Sequence, residues 1–360
     1  MDLGNILAAV GVLAVVIFVH ELGHFLLAKW CDVEVLCFSM GFGPTVYSKT
    51  VGETEYRLAA IPLGGYVRMA GQDDDEIGET VAHDPSRGFT AKTIGQRAAI
   101  IAAGPAFNLI FAVVVFTFVA YLYGVTLPSN RPIVGGILPD TPAEAAGLAV
   151  GDKFVELDGV TVDDWNHLQA LVVGSSGEAL NFTVENLAGE RREIALTPAV
   201  APVMDEFGEV TEHSYQIGIA RILEQHPVGL FDSFGAGFSY TGYYSAMIFR
   251  TLGRLVQGRL EFRDLGGPIL IAQVASEKAE RGMEPLLRFL ALISINLGII
   301  NVLPIPVLDG GHLVFLGFEG LRGKPLSLRM REMALQAGMM VIGALMIFVV
   351  FNDLFRIYAG

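Results

Sequence analysis

The sequence predicts a polytopic α-helical membrane protein, with about four transmembrane helices, a small membrane-associated β-sheet and a soluble domain inserted between the second and third helices. Three observations lead there. Hydrophobic residues make up 52% of the 360 and mean hydropathy is +0.51, too apolar for an ordinary soluble chain. Four runs, near residues 4–30, 96–123, 286–303 and 334–351, are apolar over the roughly 17–25 residues that a helix needs to cross a bilayer. Between the second and third runs, residues 127–200 turn Gly- and Asp-rich. That stretch carries short alternating segments at 181–185 and 192–196 that read as strands.

The first run contains His20, Glu21, His24 and Lys29. Lys29 lies near its end and can snorkel to the interface. The other three lie deeper, where an ionisable group costs at least about 2.5–3.5 kcal/mol and marks a functional site by default. His20 and His24 stand at i and i+4, so both imidazoles leave one helix face and can share one metal ion. Glu21 sits beside the first ligand, placed to take a proton from a water on the metal, which zinc brings to a pKa of about 7. The run lacks the basic start of a signal peptide and is too long for one. Cys31 and Cys37 follow it. Two cysteines imply no disulfide framework, and they read as free thiols.

Next come three short strands, at 45–49, 53–61 and 66–69, with a turn at Val51-Gly52 and an interruption at Pro62-Leu63-Gly64-Gly65. They predict a small sheet beside the first helix. Residues 54–61, with Thr54, Tyr56 and Leu58, look most like an exposed edge able to hold an extended substrate by strand addition. Residues 72–92, with Asp73-Asp74-Asp75-Glu76, read as an acidic loop. The second run starts among small residues, Ala98 to Ala106, that allow close helix packing in lipid. Pro105 and Asn108 are unusual there, and for Asn108 packing and catalysis are equal readings.

Residues 201–227 extend the soluble part. Over 228–256, Phe231, Phe234, Phe238, Ser245, Ile248, Leu252 and Leu255 follow helical spacing, while Asp232, Arg250 and Arg254 lie off the stripe. This predicts an amphipathic helix lying on the membrane. The third run leads into Asn301-Val302-Leu303-Pro304-Ile305-Pro306-Val307-Leu308-Asp309-Gly310, where two prolines break the helix. Irregular backbone at membrane depth must be covered by protein or line a cavity. Asp309 is therefore the best third metal ligand, with His312 as its rival, and Asn301 is a candidate for fixing substrate backbone or for helix packing. The domain limits expected are 1–126 and 286–360 for the two parts of a membrane core, 127–200 for the soluble domain and 201–285 for its extension. A net charge of −14 argues against nucleic acid as a partner.

Pro142-Ala143-Glu144-Ala145-Ala146-Gly147-Leu148, followed by Gly151-Asp152-Lys153-Phe154-Val155-Glu156-Leu157-Asp158-Gly159, resembles a PDZ domain of the bacterial protease type. With His20-Glu21-Leu22-Gly23-His24 before it and the Asn301 to Gly310 string after it, the whole chain resembles the site-2 protease family. More narrowly, it resembles the bacterial regulator-of-sigma-E type of RIP metalloprotease. Gly104-Pro105 with Asn108 and the Gly41-x-Gly43 loop share in the resemblance. It implies that His20, His24 and Asp309 bind Zn2+, that Glu21 is the base, and that the substrates are single-pass membrane proteins cut within the lipid bilayer. Trimmed anti-sigma factors and remnant signal peptides are the family's substrates. The best-known Gram-negative members carry two PDZ domains in tandem, and this chain shows one. Lys29, Lys49, Arg57 and Arg68 after the first run, and Arg322, Lys324, Arg329 and Arg331 before the fourth, put those loops in the cytoplasm. The PDZ domain is then extracytoplasmic on a bacterial inner (cytoplasmic) membrane. Two rival readings stand beside this one. One is a catalytically silent membrane-anchored PDZ binding protein. The other is a transporter, which the lack of repeated spans disfavours.

Overall fold

A computed structural model describes residues 3–72, 84–259 and 266–359. The acidic run Asp73-Asp74-Asp75-Glu76 lies outside the described residues. The chain forms two compact units, one made of Met1–Tyr123 with Val228–Gly360, the other of Gly124–Pro227.

The first unit begins with helix α1 (Leu3–Trp30), whose last turn carries Lys29, the charge preferred at a helix C-terminus. Strands β1 (Val35–Val51) and β2 (Thr54–Met69) follow. β1 starts at Val35, well before the expected strand, because Val35, Cys37, Phe38 and Ser39 are all buried. A strand buried on both faces shows no alternation to read. β2 also continues through Pro62-Leu63-Gly64-Gly65.

The two long strands fold back on each other. Residues 35–40 pair with 65–69 (Val35 opposite Met69, Met40 opposite Gly65), and residues 37–40 also face 55–58. Thr45 lies opposite Ala59 and Val51 opposite Thr54. Gly41 and Gly43 make the bend with φ of 89° and 85°, a region that favours glycine. Residues 54–58 are thus flanked on both sides, and the expectation that 54–61 forms an exposed edge is overturned. The free edges are 65–69 and 45–51.

Helix α2 (Ile94–Tyr123) crosses α1 closely. A Cβ on Gly23 would lie 2.4 Å from the carbonyl oxygen of Ala103, so the two backbones touch where small residues permit it.

The second unit holds β3 (Val125–Pro128), β4 (Val134–Ile137), α3 (Pro142–Ala145), β5 (Lys153–Leu157), β6 (Val160–Thr161), α4 (Trp165–Gly174), β7 (Leu180–Glu185), β8 (Arg191–Leu196), β9 (Ala199–Met204), β10 (Val210–Gln216), β11 (Ile219–Arg221) and β12 (Leu223–His226). One sheet has the order β6-β5-β7-β8, and β9 and β10 form a hairpin. Phe154 and Phe182 pack edge-on at 5.4 Å within its core. β11 pairs with β4 and β12 with β3. Because the last strands complete ladders begun by the first, the unit does not end at residue 200. It runs to Pro227, and the expected 201–285 segment divides there.

The first unit resumes with α5 (Leu230–Val256), α6 (Pro268–Glu280), α7 (Met283–Val302), α8 (Asp309–Arg322) and α9 (Leu328–Ala359). Among the described residues, four helical stretches are long and apolar enough to span a membrane: Ala8–Trp30, Ile94–Tyr123, Met283–Val302 and Leu328–Tyr358. α5 does not stand apart from them. Gly237 sits against Val113 and Thr117 of α2, and Phe116 packs on Tyr240 and Tyr244 at 5.6 and 5.7 Å. Ile248 and Leu252 join that cluster, whereas Phe231, Phe234 and Phe238 face outward. The expected apolar stripe is therefore shared between a helix contact and the surface. Asp353 of α9 accepts hydrogen bonds from the amides of Gly267, Ile269 and Leu270 at 3.0, 3.0 and 3.1 Å. It caps α6, whose first N–H groups have no helical partner.

Glu53, in the turn of the sheet, bonds Lys29 at 2.5 Å and Arg87 at 2.7 Å, and Arg87 with Lys29 pushes its carboxyl from 4.5 down to about 2. A lowered folded pKa means this tie is fully present above pH 4.5 and is lost as the pH falls toward about 2. We expect amide exchange over residues 50–58, corrected for intrinsic rates, to accelerate across that window. Glu53→Gln should show the loosening at neutral pH. Exchange indifferent to both changes would refute the tie.

Candidate metal centre

α1 brings His20, Glu21 and His24 to one place, and α8 delivers Asp309 to the same place. The Nε2 atoms of His20 and His24 lie 3.2 Å apart, and they stand 3.1 and 3.5 Å from Oδ2 of Asp309. These three residues are the group of potential metal ligands found among the described residues. Zinc–nitrogen and zinc–oxygen bonds of about 2.0–2.2 Å in a tetrahedron put ligand atoms roughly 3.3 Å apart, so the spacing fits that ion. Oδ2 of Asp309 is buried and meets no N–H in hydrogen-bonding geometry. Three groups able to donate an electron pair thus converge on one point, which favours a cation.

Each ligand is held by its surroundings. Nδ1 of His24 lies 2.9 Å from the carbonyl oxygen of Ile100 on α2. A carbonyl only accepts, so Nδ1 carries the proton and Nε2 keeps its lone pair for a metal. Asp309 opens α8 directly after the Pro304-Ile305-Pro306 turn. A Cβ on Gly310 would lie 2.2 Å from the carbonyl oxygen of Val302, and one on Gly311 would lie 2.3 Å from that of Ile305. The start of α8 is therefore packed directly on the turn that sets where Asp309 stands.

The centre opens on a cavity of about 430 Å³. Asn301, at the end of α7, and His312, one turn beyond Asp309, are on its wall, with His312 outside the ligand cluster. The free edge Gly64, Gly65, Tyr66 and Val67 also lines it. A Cβ on Gly65 would come 2.9 Å from Cγ of Glu21, so bare backbone passes directly beside that carboxylate.

Thr54, Tyr56 and Leu58 do not line the cavity. The Thr54 hydroxyl donates to the Val35 carbonyl at 2.7 Å. Tyr56 packs on Phe25 and Phe38 at 5.9 and 6.1 Å, and Leu58 is exposed on the outer side. Sequence reasoning missed the true edge, although paired glycines inside a strand pattern signal close backbone approach.

Gly104 makes room for both imidazoles. A Cβ there would lie 2.3 Å from Nε2 of His24 and 2.9 Å from Cε1 of His20. Gly104→Ala should therefore strip most of the zinc from a folded protein, read as metal per chain by atomic absorption. Full zinc content in that variant would place the metal elsewhere.

The chain is similar to known proteins over nearly its whole length. Residues 8–345 match the model of Peptidase family M50. The chain is 36% identical over 368 residues to a protein of Brucella suis provisionally named a zinc metalloprotease, across 98% of this chain and 95% of the relative. A similarly named protein of Mesorhizobium japonicum is 37% identical over 372 residues, across 99% and 100%. The zinc metalloprotease RasP of Geobacillus kaustophilus is 30% identical over 428 residues, across 99% of both. A PDZ domain of an SdrC-like protein from Listeria innocua aligns with 28% of this chain and all of its own at 20% identity and a TM-score of 0.21, too low to carry an argument. With a match this long around the His20-Glu21-Leu22-Gly23-His24 helix, the chain belongs to peptidase family M50, the site-2 proteases, and is a zinc-dependent metalloprotease of the membrane.

Proposed function

We propose that this protein is an intramembrane endopeptidase that cuts transmembrane segments of single-pass membrane proteins in regulated intramembrane proteolysis. Trimmed anti-sigma-factor-like proteins and remnant signal peptides are the substrate types. The observation that carries the reading is one cavity lined both by His20, Glu21, His24 and Asp309 and by a free strand edge. His20, His24 and Asp309 would hold zinc. Bound zinc would lower the pKa of a water it holds to about 7 and polarise the scissile carbonyl. Glu21 takes the proton of the attacking water and returns it to the leaving amine. Asn301, across the cavity, is placed to hold the substrate backbone.

A helical amide is already hydrogen-bonded within its own segment, so a substrate must open before it is cut. The edge at 65–69 offers unpaired N–H and C=O groups to the opened strand. This moves the strand platform from 54–61 to 65–69. The exposed apolar residues Phe42, Val46, Tyr47 and Ile61 suit a sheet lying in lipid.

In the second unit, Leu168 and Val172 of α4 face Ile217 and Ile219 across a groove of about 380 Å³, which suits a PDZ domain that screens extended peptides. The lysine and arginine distribution supports a bacterial inner membrane location with this unit extracytoplasmic.

Two tests follow from the mechanism. Glu21→Gln should retain zinc while cleavage of a model transmembrane substrate falls by at least about 10²–10⁴-fold, the usual worth of a general base. Near-normal turnover would remove Glu21 from that role. Successive N–H groups of a strand point to opposite sides, so proline at Tyr66 or at Val67 deletes one that faces the cavity. Both variants should keep zinc, and at least one should cut a stable helix poorly while still cutting a helix weakened by Gly and Pro. Equal cleavage of both substrates by both variants would dismiss the platform.

A further inference from the structure

We propose that Asn108 is a positioning residue that fixes the tautomer of His20: its side-chain carbonyl accepts the Nδ1–H of His20, leaving Nε2 with a free lone pair. The proposal rests on the reading of His20, His24 and Asp309 as zinc ligands. The side-chain amide of Asn108 lies 3.2 Å from Nδ1 of His20, while Nε2 of that ring points at His24 and Asp309. A metal held at that point needs the Nε2 lone pair, and a neutral ring that offers it carries its proton on Nδ1. That proton requires an acceptor. The side chain facing it is a carboxamide, which presents oxygen instead of nitrogen after a half-turn that leaves its shape unchanged. With nitrogen toward the ring, Oδ1 is buried and has no partner among the described residues. With oxygen toward the ring, Oδ1 gains the Nδ1–H and the amide nitrogen takes the place it leaves, so the choice between the two orientations is made by the ring's need for an acceptor.

The surroundings show that this carboxamide is held in place for a polar purpose. Asn108 is 0% exposed. Its backbone carbonyl accepts the Ser294 hydroxyl of α7 at 2.9 Å, and a Cβ on Gly298 of α7 would lie 3.3 Å from Cβ of Asn108. Nearby Ala112, Ile295 and Ile299 are buried and apolar. Burying an amide among such groups costs about 1–3 kcal/mol unless it is hydrogen-bonded, so leucine would serve better if packing were the only need. α2 then fixes both imidazoles by the same device, the Ile100 carbonyl for His24 and the Asn108 carboxamide for His20.

The test uses the full chain, purified in detergent, with zinc affinity measured by chelator competition at neutral pH. Asn108→Leu should bind zinc about 10–100-fold more weakly, the usual cost of losing such a partner. Asn108→Asp keeps an acceptor and should bind zinc at least as tightly as the wild type, a rescue that a packing role would not give. Zinc affinity unchanged in Asn108→Leu, or equally weak in both variants when both are folded, would overturn the proposal. Nitrogen-15 spectra of the zinc-free wild-type protein, with histidine labelled, test it even if a variant does not fold, because no metal then dictates the tautomer. A proton on Nδ1 of His20 is the expected result, and a proton on Nε2 refutes it. His20→Ala separates the two levels of the argument. If it binds zinc like the wild type, the ligand assignment itself fails; if it loses zinc while Asn108→Leu does not, only the role of Asn108 fails.

Discussion

Four polar side chains, His20, Glu21, His24 and Asp309, meet among membrane-length apolar helices, and each must be held in place there. An isolated charge or an unpartnered imidazole in such surroundings is expensive. The helix crossing of α1 and α2 answers that constraint. Gly23 lets the two backbones touch, Gly104 leaves space for the rings, and the Ile100 carbonyl takes the outer nitrogen of His24. A bulkier residue at either glycine would separate the helices or displace the rings. The orientation of the ligands is thus a property of backbone packing more than of the ligands themselves.

Asp309 meets a related constraint from the other side. It stands at a helix start directly after a proline-broken turn, and Gly310 and Gly311 press that start against the turn's carbonyls. The irregular stretch borders the cavity at Val307 and Leu308, a condition under which such backbone is tolerated at membrane depth. The half-buried pair Arg97–Glu319, at 2.5 Å, ties α2 to α8 near the end of α8 remote from Asp309. The helix carrying Asp309 is thus joined to the helix that packs against His20 and His24.

The sheet carries the same logic into the cavity wall. Strand 54–58 is flanked on both sides and spends its hydrogen bonds within the sheet. Strand 65–69 is an edge, and edges elsewhere are usually blunted by charge, proline or cover. Here the edge faces the cavity and contains Gly65, whose lack of a side chain lets it run against Glu21. An unblunted edge beside a carboxylate and three metal-ligand candidates is what an opened peptide segment needs.

Much of this was legible in the residues alone. The i, i+4 histidines inside an apolar run, the Pro-x-Pro break before Asp309 and the shift to a Gly- and Asp-rich middle are local signals. They determined the membrane class, the chemistry and the approximate spans. The sequence could not show which strand is the edge, because residues 35–40 are buried on both faces and lose the alternation that would announce them. Nor could it show that β11 and β12 close the second unit by pairing with β4 and β3, or that α5 packs on α2, since both depend on partners far along the chain. Asn108 is the sharpest case. Its composition read equally as packing or chemistry, and only the approach of α2 to α1, which sets its amide 3.2 Å from a ring nitrogen of His20, decided between them. Local pattern determines which groups a chain carries, and tertiary packing decides which of them face one another.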